Sequence, residues 1–251
     1  MLMEKISSRK NRIICHMRSV ASDAQYRNDC RQFICDGEKT LREAIAFGAD
    51  IKQVLWREGA PSVKLPDSIE QFCAPADLVE HASPLKAGSG PVFTVAMPEP
   101  DEEAKVMRAI VIENLQDPGN VGTIIRSANA FGIDAVIMVG ACADLYNPKT
   151  VRASMGAIFR QKVMKMSIGQ LDDFTQRQSL PLFGAALSEK AADIRYLELH
   201  RSAVAIGSEG RGLSRELLDI CGGEIIIPMD PNSESLNAAV AASVVMWEMS
   251  R

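Results

Sequence analysis

The amino-acid sequence predicts an α/β protein, with a small N-terminal α/β unit over residues 1–97 and a larger C-terminal domain over residues 108–251. Short runs rich in Val and Ile recur through the C-terminal part without polar alternation, which is typical of strands buried on both faces. Helical patterns separate most of these runs. Strands that alternate with helices in this way indicate a parallel sheet covered on both faces.

The N-terminal unit begins with a polar and basic stretch, residues 7–31, which we expect to be helical with one loop. Apolar residues at helical spacing predict a helix over residues 38–47, and apolar runs predict strands at 51–56 and 92–96. Residues 98–107 contain prolines and several acids, and proline disfavours regular helix and sheet. We therefore interpret 98–107 as a linker between the two parts.

The elements of the C-terminal domain follow from the same patterns. Strands are predicted at residues 109–112, 135–139, 163–166, 182–187, 204–206 and 225–227. Helices are predicted at residues 121–131, 148–159, 171–177, 215–220 and 235–249. In parallel sheets of this kind, ligands bind beyond the carboxyl ends of the strands.

Composition excludes several classes of protein. The chain has 251 residues, of which 47% are hydrophobic, and its net charge is −4. These values exclude whole-chain disorder and a uniformly basic nucleic-acid binder. The six cysteines form no CxxC pair, and neither they nor the three histidines match a metal-binding spacing. No apolar run is long enough to span a bilayer, so we expect a cytoplasmic protein with reduced thiols, no metal and no membrane segment.

The first of three informative loops follows the strand that ends near Glu113. Asp117-Pro-Gly predicts a turn, and Asn120 is placed to cap the next helix. Arg126 lies six residues further along, so Asn120 and Arg126 could both reach one bound group. The alternative for this loop is a capped helix with a solvated arginine.

The second loop carries three glycines in six residues, Gly207, Gly210 and Gly212, directly after a buried strand. Such a loop turns tightly or admits a ligand close to its backbone. The order GxxGxG reverses the dinucleotide fingerprint, and no GK[ST] follows as in a P-loop. Glu209 would place an acid beside exposed amides. The alternative is an ordinary turn with Ser214 as the N-cap of the next helix.

The third loop, residues 227–237, contains two prolines and leads into an apolar run. Ser235 is the predicted helix start, with Asn237 in the first turn, where free amides could face a polar ligand. The helix is apolar nearly all round, which predicts burial and favours packing against another subunit. The alternative is a structural N-cap on a core helix.

Together the three loops supply Asn, Arg, Glu and Ser side chains and many backbone donors, but no good nucleophile and no metal set. This combination favours binding of a polar cofactor and orientation of a substrate over covalent or metal catalysis.

Three segments resemble the signature motifs of the SpoU (TrmH) family of RNA ribose 2′-O-methyltransferases, in the SPOUT superfamily. They are NLQDPGNVGTIIRSANAFG, AIGSEGRGLS and IPMDPNSESLNAAVAASVVMWE, in the family's order and spacing. The stretch KNRIICHMRSVASDAQYRNDCRQFICDGEKTLREAI is similar, more loosely, to the family's N-terminal substrate-binding domain.

The resemblance implies a fold and a set of roles. The C-terminal sheet would contain a deep trefoil knot, in which S-adenosyl-L-methionine binds against Gly207, Ile227, Leu236 and Leu187. Catalytic and substrate-positioning roles would fall on five residues: Arg126, Asn120, Glu209, Ser235 and Asn237. The family is homodimeric, with its active site at the dimer interface.

The resemblance also implies an RNA substrate, with ribosomal RNA favoured by the additional N-terminal domain. Phosphates could be bound by two basic stretches, which contain Lys5, Arg9, Lys10, Arg12, Arg18, Arg27 and Arg31, and Lys149, Arg152, Arg160, Lys162 and Lys165. The alternatives are transfer RNA as substrate, a non-catalytic RNA-binding protein on the same fold, and, disfavoured by the reversed glycine order, a nucleotide-dependent oxidoreductase.

Overall fold

The computed structural model of the chain describes residues 3–59, 63–85, 90–99, 105–230, 232 and 235–251. It divides into two compact units. Unit 1 comprises Met1–Glu99 and Tyr146–Phe159, and unit 2 comprises Pro100–Leu145 and Arg160–Arg251. Residues 100–104 of the predicted linker lie outside the described residues.

The elements up to residue 96 are β1 (Glu4–Lys5), α1 (Arg12–Ser22), α2 (Ala24–Cys30), β2 (Gln32–Asp36), α3 (Glu38–Ala46), β3 (Ile51–Arg57), β4 (Glu70–Ala74), α4 (Ala76–Ala82) and β5 (Val92–Ala96). Those that follow are β6 (Arg108–Glu113), α5 (Pro118–Ala130), β7 (Ala135–Val139), α6 (Pro148–Ala153), β8 (Lys162–Met166), α7 (Ile168–Gln178), β9 (Leu182–Ala185), β10 (Ala192–Asp193), β11 (Ser202–Ile206), α8 (Arg215–Asp219), β12 (Gly223–Ile226) and α9 (Ala238–Ser250).

Unit 1 is built on a mixed sheet in the order β1-β4-β3-β5-β2. The predicted helices and strands before residue 97 are confirmed, whereas β1, β4 and α4 were not predicted from the sequence. Phe33 of β2 is 2% exposed and stacks on Tyr146 and Phe159, with ring centroids 4.8 and 6.2 Å apart. The core of unit 1 therefore uses side chains from the segment Tyr146–Phe159.

The prediction of one helix over residues 148–159 is wrong in its second half. Helix α6 ends at Ala153, and Met155 and Gly156 then adopt left-handed backbone with φ of 50° and 86°. A right-handed helix cannot continue through such residues. A single 3₁₀ turn, Ala157–Phe159, follows.

Unit 2 contains a parallel sheet of seven strands in the order β10-β12-β9-β11-β6-β7-β8. The α/β class and the parallel sheet are confirmed. Every residue of β7 and β11 is buried, as expected for strands covered on both faces. Strand β9 ends at Ala185, so Leu187, predicted inside this strand, lies beyond it.

Candidate active site

Four loops of unit 2 begin at one edge of the sheet. Strands β12, β9, β11 and β6 are adjacent and parallel, so their carboxyl ends lie side by side. Leu187 follows β9, Gly207 follows β11 and Ile227 follows β12. The segment before α5 follows β6. This edge is where ligands bind in parallel sheets, and the sheet brings all three sequence motifs to it.

The first motif forms the start of α5, but Asn120 does not cap the helix as predicted. Asp117 is the N-cap and accepts a 2.7 Å hydrogen bond from the Gly119 amide, with Pro118 in the first helical position. Proline suits this position because its fixed φ fits the helix and an N–H here would have no partner within the helix. Asn120 thus lies in the first turn with its side chain free for other partners.

The second motif closes on itself at its base. The Gly212 amide donates to the Ser208 carbonyl at 2.8 Å, and Gly207 lies directly against the backbone of Gly212 and Leu213. A Cβ at position 207 would lie 2.0 Å from the Gly212 carbonyl carbon. Glycine is therefore required here for close backbone approach. Ser214 is the N-cap of α8, as the alternative interpretation of this loop predicted.

The third motif leads into α9, whose N-cap also differs from the predicted one. Asn237 is the N-cap, and its Oδ1 accepts from the amides of Ala239 and Val240 at 3.0 and 3.2 Å. Ser235 is exposed and lies before the helix, so its prediction as the helix start is wrong. Asn and Ser are comparably good N-caps, so composition alone does not choose between them.

One carboxylate oxygen joins the three motifs. Oε1 of Glu209 accepts hydrogen bonds from Nδ2 of Asn120 at 2.6 Å, Nδ2 of Asn237 at 3.0 Å and the Ala238 amide at 3.3 Å. Nδ2 of Asn237 also donates to Oδ1 of Asn120 at 3.1 Å. Charge-assisted hydrogen bonds of this kind are the stronger ones. The acid between the glycines therefore holds the starts of α5 and α9 together.

The structure does not add Arg126 or Ser235 to this cluster. Both side chains are exposed, and neither makes a hydrogen bond or ion pair with another described residue. Six residues of α-helix turn a side chain by about 600°, which leaves Arg126 about 120° around the axis from Asn120 and about 9 Å further along. Within one chain the two side chains thus point to different faces of α5.

The predicted cofactor contacts lie around the same edge. Ile227 and Leu236 are half-buried, while the Leu187 side chain is 66% exposed. Half-buried apolar side chains beside loop backbone suit a ligand that has both a flat apolar part and a polar edge.

The thiols of Cys142 and Cys221 are poor nucleophiles. Burial raises the pKa of Cys142, and burial with the carboxylates of Glu224 and Glu113 nearby raises the pKa of Cys221 to about 11. Both therefore remain protonated thiols near neutral pH. Among the described residues, no group of three His, Cys, Asp or Glu side chains could hold a metal ion, and none of the helices there could cross a membrane.

Sequence reasoning passed over Glu113, the last residue of β6. Its carboxylate is 2% exposed and accepts hydrogen bonds from Oγ and the amide of Ser214 at 2.5 and 2.7 Å. The signal that could have found it is an acid at the end of an otherwise apolar strand. A carboxylate is rarely buried without a specific partner, so its position indicates one.

The comparisons with known proteins identify the family. The profile of the SpoU rRNA methylase family matches residues 107–247. The Bacillus subtilis protein named 23S rRNA (guanosine(2553)-2′-O)-methyltransferase RlmP is 29% identical over 98% of this chain and 99% of its own length. A solved structure of a TrmH-family RNA methyltransferase from Porphyromonas gingivalis is 28% identical, with a TM-score of 0.85 over 94% of this chain and 96% of that one.

The rRNA methyltransferase of Sinorhizobium meliloti with bound AdoMet shares the fold, with a TM-score of 0.89, 23% identity, and coverage of 98% of this chain and 97% of that one. The family profile spans more than half of the chain and contains all three motifs. The chain therefore belongs to the SpoU rRNA methylase family.

Proposed function

We propose that this protein transfers the methyl group of S-adenosylmethionine to a ribose 2′-hydroxyl of RNA, with ribosomal RNA as the favoured substrate. Membership of the SpoU family makes it an RNA methyltransferase. The observation that carries the proposal is the cluster around Glu209, which assembles side chains of all three motifs at the ligand-binding edge of the sheet.

The residues at this edge fit the methyl donor. Ile227 and Leu236 offer apolar contact for an adenine ring, and Gly207 lets the glycine loop close tightly against Gly212 and Leu213 at the same edge. Leu187, exposed beyond β9, would contact the same ligand. When bound, S-adenosylmethionine supplies a methyl group already activated by the positive charge on sulfur.

The side chains then have to orient the ribose hydroxyl and help it lose its proton. Arg126 is a poor base because an arginine pKa lies above about 12. We assign Arg126 to binding an RNA phosphate and orienting the ribose hydroxyl. The bound phosphate then helps to accept the proton that the hydroxyl loses. Asn120, Glu209 and Asn237 form the rigid side of the pocket, and Ser235 is exposed beside it for a hydrogen bond to the ribose.

A homodimer would bring Arg126 to the site. Arg126 and Asn120 point to different faces of α5, so the guanidinium that completes one site would come from the partner chain. Helix α9 supports this arrangement, because its outer face exposes Val240 (49%) and Trp247 (55%) beside Asn120 and Asn237 along one groove. Exposed apolar patches of this kind mark protein interfaces.

The strand order supports the trefoil knot that the family resemblance implies. Strand β11 inserts between β6 and β9, β12 then pairs with the far side of β9, and α9 returns to pack against α5 and β11. The C-terminal segment thus returns to the middle of the sheet, as a knotted fold requires.

Unit 1 is assigned to RNA binding, by shape and phosphate contacts. Two corrections apply to the basic stretches. Arg27 is 3% exposed and donates to the Val20 carbonyl at 2.8 Å, so it is not available to RNA. Lys5 is already paired with Glu58 at 2.7 Å. The exposed Lys10, Arg12 and Arg18 are the better candidates. Six free thiols and an RNA substrate fit a cytoplasmic location.

The test is a methylation assay with purified protein and labelled S-adenosylmethionine on ribosomal and transfer RNA, followed by mapping of 2′-O-methyl marks in cells with and without the protein. We expect one ribosomal mark to disappear in its absence. Loss of a 2′-O-methyl mark in transfer RNA would instead identify transfer RNA as the substrate. Binding of RNA with no affinity for S-adenosylmethionine in calorimetry would replace the enzyme with a binding protein.

A further inference from the structure

Glu113 is a buried carboxylate for which the proposed reaction has no use. It ends β6, it is 2% exposed, and no cationic side chain among the described residues forms an ion pair with it. Burying a carboxylate without a cation is costly, and an apolar residue is usually the more stable choice. We therefore expect the hydrogen bonds of its two oxygens to hold a neighbouring segment in position.

Both oxygens of Glu113 bind the same residue. Oε1 accepts from Oγ of Ser214 at 2.5 Å, and Oε2 accepts from the Ser214 amide at 2.7 Å. Oγ of Ser214 in turn accepts from the Leu217 amide at 3.2 Å as the N-cap of α8. A two-point contact of this kind fixes the position and the orientation of Ser214.

Ser214 is the residue at which the glycine loop ends. Directly before it, Gly212 and Leu213 form the backbone against which Gly207 lies, and the Gly212 amide closes the loop on Ser208. Glu209, which holds Asn120 and Asn237, lies inside this closed loop. The position of Ser214 therefore sets the shape of the loop and the place of Glu209.

We propose that Glu113 is a positioning residue that acts through Ser214: it holds the glycine loop 207–213 in the closed shape that accepts S-adenosylmethionine. This inference rests on the proposed function, since it assigns the loop to the methyl donor. Glu113 does not contact the reacting atoms. Its effect is on how well the loop is formed before the methyl donor arrives.

The experiment compares Ser214→Ala, Ser214→Thr and Glu113→Gln in the full-length protein. Alanine removes the hydroxyl, whereas threonine keeps the donor to Glu113 and the N-cap. We expect S214A to weaken S-adenosylmethionine binding at least tenfold in calorimetry and to raise its KM likewise. At saturation kcat should stay within threefold, because the bound methyl donor restores the closed loop and with it the place of Glu209. S214T should stay within threefold of native. E113Q should lie between them, because its amide keeps one acceptor, and the double variant S214A/E113Q should bind no more weakly than S214A.

Ser167→Ala is the matched control for loss of a cap. Ser167 caps α7, and its Oγ accepts from the Gln170 amide at 3.2 Å. Within the described part of the chain its side chain forms no hydrogen bond with the glycine loop. S167A should lower thermal stability about as much as S214A and leave S-adenosylmethionine affinity unchanged. Equal weakening by both variants would reduce Ser214 to an ordinary helix cap and overturn the proposal.

Amide hydrogen exchange in the ligand-free protein gives a second readout that does not require the methyl donor. S214A should lose protection at residues 208–213, whereas S214T and S167A should keep it. Native protection in S214A, or binding of S-adenosylmethionine at native affinity by S214A, would overturn the role of Glu113. Failure of the native protein to bind S-adenosylmethionine would instead refute the proposed function, with exchange still deciding whether Glu113 shapes the loop.

Discussion

Oε1 of Glu209 lies 2.6 Å from Nδ2 of Asn120, although 89 positions separate the two residues in the chain. Asn237, a further 28 positions beyond Glu209, donates to the same oxygen. The contact joins a glycine loop to the first turns of two helices. It makes the site sensitive to single substitutions that leave the fold intact.

Asn237→Ser separates the two roles of Asn237. Serine is a comparable N-cap, so α9 should keep its stability, but it lacks the amide that donates to Glu209 and Asn120. Hydrogen bonds to a charged group contribute about 1.5–3 kcal/mol, so we expect kcat to fall about tenfold to a hundredfold. Steady-state kinetics and thermal unfolding measure the two effects. Asn237→Ala also removes the N-cap and should therefore lower the free energy of unfolding by about 1 kcal/mol. A native kcat in N237S would contradict the role given to the Asn237 amide.

Gly207→Ala should destroy binding of S-adenosylmethionine. The added Cβ would lie 2.0 Å from the Gly212 carbonyl carbon and 2.4 Å from the Leu213 amide nitrogen, so the loop must open. Gly210→Ala is the matched control, because a Cβ at position 210 meets no atom within 4 Å. Calorimetry should show no binding by G207A and native-like binding by G210A. Equal affinity in the two variants would show that loop closure is irrelevant to the cofactor.

Arg126→Ala should abolish methylation while leaving S-adenosylmethionine affinity and thermal stability close to native. The side chain is exposed and bonds to no other described residue, so its removal costs the fold little. Arg126→Lys should recover only a small part of the activity, since lysine cannot form a two-point contact with phosphate. Turnover by R126A near the native rate would remove arginine from the mechanism.

Trp247→Glu should convert the proposed dimer to monomers. Trp247 is 55% exposed on α9 and packs edge-to-face on Phe131 with ring centroids 5.8 Å apart, so a charge there would be buried on association. Light scattering after gel filtration measures the mass. Tyr196→Glu is the control for an added charge at an exposed aromatic residue, because Tyr196 does not line the groove that contains Val240 and Trp247. A native protein that is itself monomeric would refute the homodimer, and the completion of the site by a partner's Arg126 with it.

Alkylation should distinguish Cys221 from Cys15. With a pKa of about 11, Cys221 has roughly one thiolate per thousand molecules at pH 8, and burial further limits access. Cys15 is exposed. We expect iodoacetamide to modify Cys15 at least about a hundredfold faster, and the rate at Cys221 to rise about tenfold per pH unit up to pH 10. Peptide mass spectrometry follows both; equal rates at pH 8 would contradict the raised pKa.

The sheet of unit 2 could be predicted because its central strands carry their signal locally. β7 and β11 are apolar at nearly every position, and short runs of this kind between helical patterns are typical of strands buried on both faces. The edge strand β8 has a mixed pattern, yet the apolar residues in its run from Val163 to Met166 were enough to predict a strand.

The helix starts were harder to predict, although their signals are present. Asp117 before Pro118 is the usual arrangement of an N-cap followed by proline at the first helical position. Asn237 stands directly before the apolar run, whereas Ser235 is two residues early. The local sequence offers several capping residues at each start, and Asn120 and Asn237 also bind Glu209, which no local pattern predicts.

The partners of Glu209 and Glu113 could not be predicted from spacing. Ser214 lies 101 positions after Glu113, and no local pattern links them. The family resemblance placed Glu209 in the site, but the buried Glu113 carries no motif of its own. Only the order of the parallel strands, which sets β6 beside β11, brings the two segments together.

The stacking of Phe33 on Tyr146 and Phe159 has a consequence for how this chain is made. The aromatic partners of Phe33 are translated more than a hundred residues after it, so the first unit has an open core while the start of the second is already emerging from the ribosome. A fragment that stops at residue 99 would leave a nearly fully buried phenylalanine facing water, and synthesis past residue 159 is the point at which this core can close.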